Sequence, residues 1–203
     1  MGIAERACLE QTRNESRRQQ VLAGATACFC RHGFHSASMA EIAKTAGMSV
    51  GHIYHYFENK EAIIVAIVEG NQAEVLAVMD RIEDSPGPLA QALVDTVSTG
   101  VDDCMNLTKT ALMLEVLAEA ARNPKVAAVV QASDAVLRAR MREMLCKAAG
   151  PDQDPADPRL DERVETLFTL FQGISVRAIR HSSLDRDQTV RMMQAAIRWI
   201  LQN

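Results

Sequence analysis

Aromatic side chains are scarce in this chain. They make up 4% of its 203 residues, with one Trp, two Tyr and five Phe. Ala, Leu, Val and Met must fill the interior instead, which suits packed helices better than a sheet. No stretch shows strand-like alternation, and no 20–50-residue repeat is present, so the fold expected is all-α. No run of 18 apolar residues exists, so no membrane span is expected. The N-terminal stretch MGIAERACLEQTRNESRRQQ lacks an apolar h-region, so no secretory signal is expected. The five cysteines (Cys8, Cys28, Cys30, Cys104, Cys146) are odd in number and show no paired spacing. Reduced thiols in a cytoplasm are the expected state. A nucleophile elbow, a phosphate loop and a paired catalytic carboxylate motif are all missing, so no enzyme and no cofactor are expected. The i, i+3 pairs His32/His35 and His52/His55 lack a carboxylate or thiolate at a completing spacing, so no metal is expected either.

What is present is ample apolar content, 48%, and a net charge of −4 that is unevenly spread. Residues 1–60 hold seven basic and five acidic side chains, and the remainder hold 15 and 21. A mildly positive N-terminal part on an acidic body is the pattern of a small nucleic-acid-binding head with a separate body.

Residues 1–15 are polar and unpatterned and read as a frayed tail. Ser16 with Gln19 can cap a first helix, with Arg17 and Arg18 in its first turn as candidate phosphate contacts. Val21, Leu22, Ala25, Cys28, Phe29 and His32 follow helical spacing, and Gly33 stops it. The stretch SMAEIAKTAGMSVGHIYHYFENK (38–60) then carries a capping box, Ser38 with Glu41, and an apolar side from Ile42, Ala43 and Ala46. Gly47 sits where a left-handed turn residue belongs, Met48 can plug the core, and Ser49 can cap a second helix running to about Phe57. At about 100° per residue, Val50, Ile53 and Phe57 share a face that must be buried. Gly51, His52 and His55 then face outward, with Tyr54 and Tyr56 on the flanks. Imidazoles can reach base edges and phenolic hydroxyls can bond phosphate oxygens, so this face suits a DNA major groove.

After that, Asn59 can cap a long helix over 60–83, the expected mechanical link between head and body. Further helices are expected over 88–104, 107–121, 124–149, 159–181 and 187–202, about nine in all. GPDQDPADP (150–158) reads as an acidic, mobile loop. The expected domains are 1–59, tail plus helix-turn-helix motif at 38–57, and 60–203.

The layout resembles the TetR/AcrR family of transcriptional regulators. The likeness is concentrated in residues 17–65. It rests on His32-Gly33-Phe34, on Ser38-Met39-x-x-Ile42-Ala43-x-x-Ala46-Gly47-x-Ser49, and on Gly51-x-Ile53-Tyr54-x-Tyr56-Phe57-x-Asn59-Lys60-Glu61. Beyond it the match is one of helix number, order and length. Only LEVLAEAARNP (114–124) looks like one subgroup's sixth helix. The resemblance implies a homodimer that binds a double-stranded DNA operator. It implies that Ser38 holds a phosphate, that Ser49, Val50, Gly51, His52 and His55 face the groove, that Tyr54 and Tyr56 touch backbone or bases, and that Lys60 reaches phosphate. Many members carry an aromatic where this chain has His55, so base preference there does not carry over. It also implies a four-helix dimer interface from 159–181 and 187–202, with Phe168, Phe171, Ile179, Ile197 and Trp199 as candidates.

The body is expected to hold a small-molecule inducer pocket. Met105, Met113, Leu117, Phe168 and Phe171 are candidate walls, since methionine adapts to varied shapes. Asp102, Asp103, Glu115 and Glu119 could meet a cationic ligand but read as solvated, with Glu115 the best of them for a pocket because Leu112, Leu114, Val116 and Leu117 crowd it. The function expected is a ligand-released repressor. Two other readings stay open: a DNA-binding activator or architectural dimer without inducer, and a ligand carrier or interaction module with a vestigial head.

Overall fold

The computed structural model describes residues 3–202, with side chains from residue 12 onward. Residues 1 and 2 of the expected tail, and the side chain of Cys8, lie outside the described residues. The described elements are all helical: α1 (Ile3–Ser36), α2 (Met39–Thr45), α3 (Val50–Tyr54), α4 (Lys60–Glu83), α5 (Leu89–Asp95), α6 (Val97–Met105), α7 (Leu107–Ala120), α8 (Pro124–Ala149), α9 (Arg159–Arg180) and α10 (Arg186–Gln202). The all-α architecture with a helix-turn-helix head is the expected one.

The stretch 3–15 is helical rather than a frayed tail, so Ser16 is not an N-cap. Its residues lack apolar periodicity but are mostly adequate helix formers that extend an already nucleated helix. The segment read as one helix over 88–104 is divided at Thr96. The Thr96 hydroxyl donates to the Ala92 carbonyl at 2.9 Å, a local bond that competes with the helical ladder.

The chain falls into two compact units: Met1–Gly70 with Leu112–Val130, and Asn71–Ala111 with Gln131–Asn203. The first unit therefore takes more of the chain than the 1–59 expected for the head. The reason is apolar: Ile63, Ile64, Val116 and Val126 bury in the same core as Val21, Phe29, Ile42 and Ile53. Phe29 is 1% exposed and tilts against Phe34 with centroids 5.3 Å apart. Burying such a side chain is worth about 1.5–3 kcal/mol.

The second unit is built from α5, α6, α9 and α10 with parts of α4, α7 and α8. Leu160, Val164, Leu167 and Ile174 form the buried stripe of α9, and Met193, Ile197 and Ile200 that of α10. They meet Leu93, Val97 and Val101 from α5 and α6. The 150–158 loop was read as mobile, yet it is tied down. Asp157 is buried and takes hydrogen bonds from the Arg159 backbone, the Arg159 guanidinium and Gln153. The Arg159 fork holds its carboxyl well below the usual carboxylate range. Among the described residues one helix, α4, is long and apolar enough to cross a membrane by length and composition, although its apolar residues do not form an unbroken run of 18. Its first turns instead pack into the core of the first unit.

Candidate nucleic-acid interface

The helix-turn-helix is assembled from local bonds legible in the sequence. The Ser38 hydroxyl accepts from the Glu41 N–H at 3.2 Å, and Glu41 Oε2 accepts from the Ser38 N–H at 2.8 Å. These bonds complete the capping box and hold the Glu41 carboxyl below its ordinary range. Gly47 takes φ +65, a left-handed value that favours glycine. The turn closes with the Met48 N–H donating to the Ala43 carbonyl at 2.9 Å, a Schellman-type 6→1 bond. The Ser49 hydroxyl then accepts from the His52 N–H at 3.3 Å and starts α3.

The second helix is shorter than expected. It ends at Tyr54; beyond it the Tyr56 N–H turns back three residues to the Ile53 carbonyl at 2.9 Å, a tighter 3₁₀-type bond, and the Phe57 N–H shares that carbonyl at 2.9 Å. Ile53 and Phe57 are buried as predicted, at 0% and 3% exposure, but Val50 is 40% exposed. A five-residue helix has room for one deep anchor, and its first residue lies beyond the core's edge. Gly51, His52, Tyr54 and His55 are exposed, and a Cβ at Gly51 would meet nothing within 4 Å.

Both tyrosines of the chain lie on this short stretch. The Tyr56 hydroxyl is 3.3 Å from His52 Nε2, and the two rings lie 5.3 Å apart. His55 meets the Tyr56 ring edge-on at 5.2 Å. The outer face is thus two imidazoles packed on one phenol ring, with Tyr54 beside them.

The basic residues are more engaged than their spacing suggested. The Arg17 guanidinium donates to Gln20 Oε1 at 2.8 Å, and Gln20 Nε2 donates to the Ala46 carbonyl at 2.6 Å. Arg18 lies over the Phe57 ring at 4.8 Å. Lys60, expected to reach phosphate, points its ammonium at the end of α1. It donates to the carbonyls of Phe34 at 2.7 Å and His35 at 3.2 Å, and lies 4.6 Å over the Phe34 ring.

The α1 end needs such help because the helix breaks at Gly33, with φ +76 and ψ 158. Glu115 of α7, read as a pocket residue, accepts from the Phe34 N–H at 3.1 Å. Its charge and burial together push the Cys30 thiol up, burial being the larger cause. Glu119 was read as solvated, but it is 4% exposed. Its Oε1 accepts from Asn123 at 3.1 Å, while Oε2 accepts no hydrogen bond and faces His35 Nε2 at 3.7 Å and Arg122 at 3.8 Å. The signal that could have identified these roles is the i, i+4 spacing of Glu115 and Glu119 on the otherwise apolar stretch 111–120 of α7. Asp102 and Asp103 are ion-paired, to Arg186 at 2.6 Å and Lys109 at 2.8 Å.

The six pocket candidates are divided between the units. Met113, Glu115 and Leu117 belong to the first, and Leu117 is 45% exposed. Met105, Phe168 and Phe171 belong to the second, where both phenylalanines pack against the core and the Phe171 ring lies against Gly100. An open cleft of about 390 Å³ in the second unit is lined by Met105, Leu107, Ala111, Ala178, Ile179, His181, Ser182 and Leu184. Of the interface candidates, Trp199 and Ile179 are 63% and 46% exposed, Ile197 is buried, and Phe168 and Phe171 are half-buried. Val176 and Met192, not singled out in the sequence, are also exposed on α9 and α10.

Comparison with known proteins adds the following. Residues 21–67 match the profile of bacterial regulatory proteins of the tetR family, and residues 90–202 match that of BetI-type transcriptional repressor C-terminal domains. The chain is 36% identical over 127 residues to the HTH-type transcriptional regulator UidR of Escherichia coli (strain K12), covering 60% of each protein. The match thus spans less than two thirds of that relative. Among solved structures, Salmonella enterica GusR superposes with a TM-score of 0.74 at 25% identity, covering 93% of this chain and 96% of that one. A putative transcriptional regulator from Pseudomonas aeruginosa PAO1 superposes with a TM-score of 0.78 at 20% identity, covering 93% and 92%.

Proposed function

The chain belongs to the TetR family of bacterial transcriptional regulators, and we propose that it is a repressor that binds a near-palindromic operator as a homodimer and is released by a small-molecule inducer. The observation that carries the DNA reading is the exposed face of α3. Gly51, His52 and Tyr54, with His55 at the C-cap, stand out from a helix whose other side is anchored by Ile53. The helix is capped by Ser49, and its outer groups are hydrogen-bonding and aromatic rather than acidic. Such groups read base edges, while Arg17, midway along α1, and the Ser38 cap lie within the same unit as candidates for phosphate contact.

Dimerisation is supported by Val176, Ile179, Met192 and Trp199, large apolar side chains left exposed on α9 and α10. Exposed apolar residues gathered on two helices are a common mark of a protein contact. Two heads about 34 Å apart would meet successive major grooves of a palindrome. For the inducer, the second unit offers the cleft beside Met105 and Ile179. Helix α4 supplies residues to both units, so a ligand that shifts it would alter the head. Ligand and operator are then reciprocally coupled, typically by about 1–3 kcal/mol.

The test is operator binding. A duplex is selected from a random library with the full chain, and affinity is measured for the native protein and His55→Ala. The variant is expected to lose about 1–3 kcal/mol and to relax preference at one base pair. Unchanged affinity would remove α3 from the groove.

A further inference from the structure

The outer face of α3 contains one contact that its DNA-facing role does not explain. Tyr56 is the residue on which both recognition histidines rest. Its hydroxyl lies 3.3 Å from His52 Nε2, its ring is tilted against the His52 ring at 5.3 Å, and its ring meets His55 edge-on at 5.2 Å. Tyr56 itself is less exposed than either histidine, and it packs against the core of the unit. The Tyr56 N–H bonds back to the Ile53 carbonyl at 2.9 Å, so its backbone is held just past the end of α3.

We propose that Tyr56 is a positioning residue for base readout: it sets the orientation and the tautomer of His52 and braces His55, so that the two imidazoles meet the groove as one preset unit. The inference rests on the DNA reading of α3. The chemistry is specific. A neutral imidazole carries its proton on one nitrogen only, and the hydrogen bond made by one nitrogen decides what the other offers. With Nε2 engaged by the phenol, Nδ1 is left as the group for a base edge. Whether Nδ1 offers a donor or an acceptor follows from which partner in the Tyr56–His52 bond gives the hydrogen. The major-groove code is a pattern of donors and acceptors, so the tautomer is itself sequence information. Tyr56 thereby determines specificity through His52, without needing a base contact of its own.

The experiment has two arms. In the first, the full-length protein is labelled with ¹⁵N-histidine, and the ring nitrogens of His52 are read by NMR without DNA. Tyr56→Phe keeps the ring and removes the hydroxyl. It is expected to shift the His52 ring nitrogens toward a different tautomer mixture, and an unmoved His52 would overturn the proposal. In the second, the selected duplex and its single-base variants are titrated against native protein, Tyr56→Phe, His52→Ala and the double variant. Tyr56→Phe is expected to lower base discrimination about three- to tenfold, the scale of one exposed hydrogen bond. In the His52→Ala background the same substitution is expected to change discrimination little. Equal losses in both backgrounds would overturn the proposal. So would a salt slope that falls by about one, which would make Tyr56 a direct phosphate contact. If the native protein selects no duplex, the DNA reading fails, and the NMR arm still decides the tautomer claim.

Discussion

Lys60 offers the sharpest conflict between sequence pattern and packing, and Lys60→Met resolves it. In the structure its ammonium donates to two carbonyls at the end of α1, at 2.7 and 3.2 Å, and lies 4.6 Å over the Phe34 ring. A hydrogen bond to a charged group is worth about 1.5–3 kcal/mol when well sheltered. Lys60 is half-buried, so the pair together merits the low end of that range. A partly exposed cation over a ring adds about 0.5–1 kcal/mol. Methionine keeps the stem packing and removes the charge, so the expected loss is about 2 kcal/mol. For a chain of this size that lowers the melting midpoint by about 4–8 °C. Thermal unfolding followed by circular dichroism reads the stability. A salt titration of binding to non-specific duplex reads phosphate contact, since each neutralised phosphate contributes about 0.9 to the slope. The structural role requires a lowered midpoint with the slope retained. A midpoint that does not move, with a slope reduced by about one, would refute it and restore Lys60 as a phosphate ligand.

Other perturbations test the same junction and the body. Glu115→Ala leaves the Phe34 N–H without its acceptor and should cost about 1–3 kcal/mol in a urea titration. Glu119→Leu removes a buried carboxylate with an unbonded oxygen and should leave stability equal or higher; a loss above about 2 kcal/mol would show that the His35 and Arg122 pairings stabilise the head. Gly33→Ala forces a side chain into a conformation open almost only to glycine and should cost about 1–3 kcal/mol by the same measurement. Arg140 and Lys147 hold the Glu83 carboxyl below its ordinary range, Arg140 being the larger cause. A depressed carboxyl contributes stability above its unfolded pKa and loses it as pH falls through the folded one. Arg140→Met should therefore destabilise the protein at neutral pH, with the difference shrinking under acid; a difference independent of pH down to about 3 would exclude this pair as its source.

Much of the head was legible because its determinants are local. Capping at Ser38 and Ser49, the left-handed turn at Gly47 and the buried anchors Ile53 and Phe57 each follow from residue type and short spacing. Val50 was misplaced because a helical wheel assumes a core beneath every apolar position. The kink at Thr96 was missed because a hydroxyl's bond to a carbonyl four residues back has no periodicity of its own.

By itself, then, the sequence determined what depends on neighbours within about five residues: helix type, caps, the turn, and an outward face of His52, Tyr54 and His55. Only the tertiary structure decided what the long polar side chains do. Lysine and glutamate stems span several ångströms, and their partners lie far along the chain: Lys60 on Phe34, Glu115 on Phe34, Glu119 facing His35. A charge spaced like a phosphate contact can equally well close a broken helix, and only the fold brings that helix within reach.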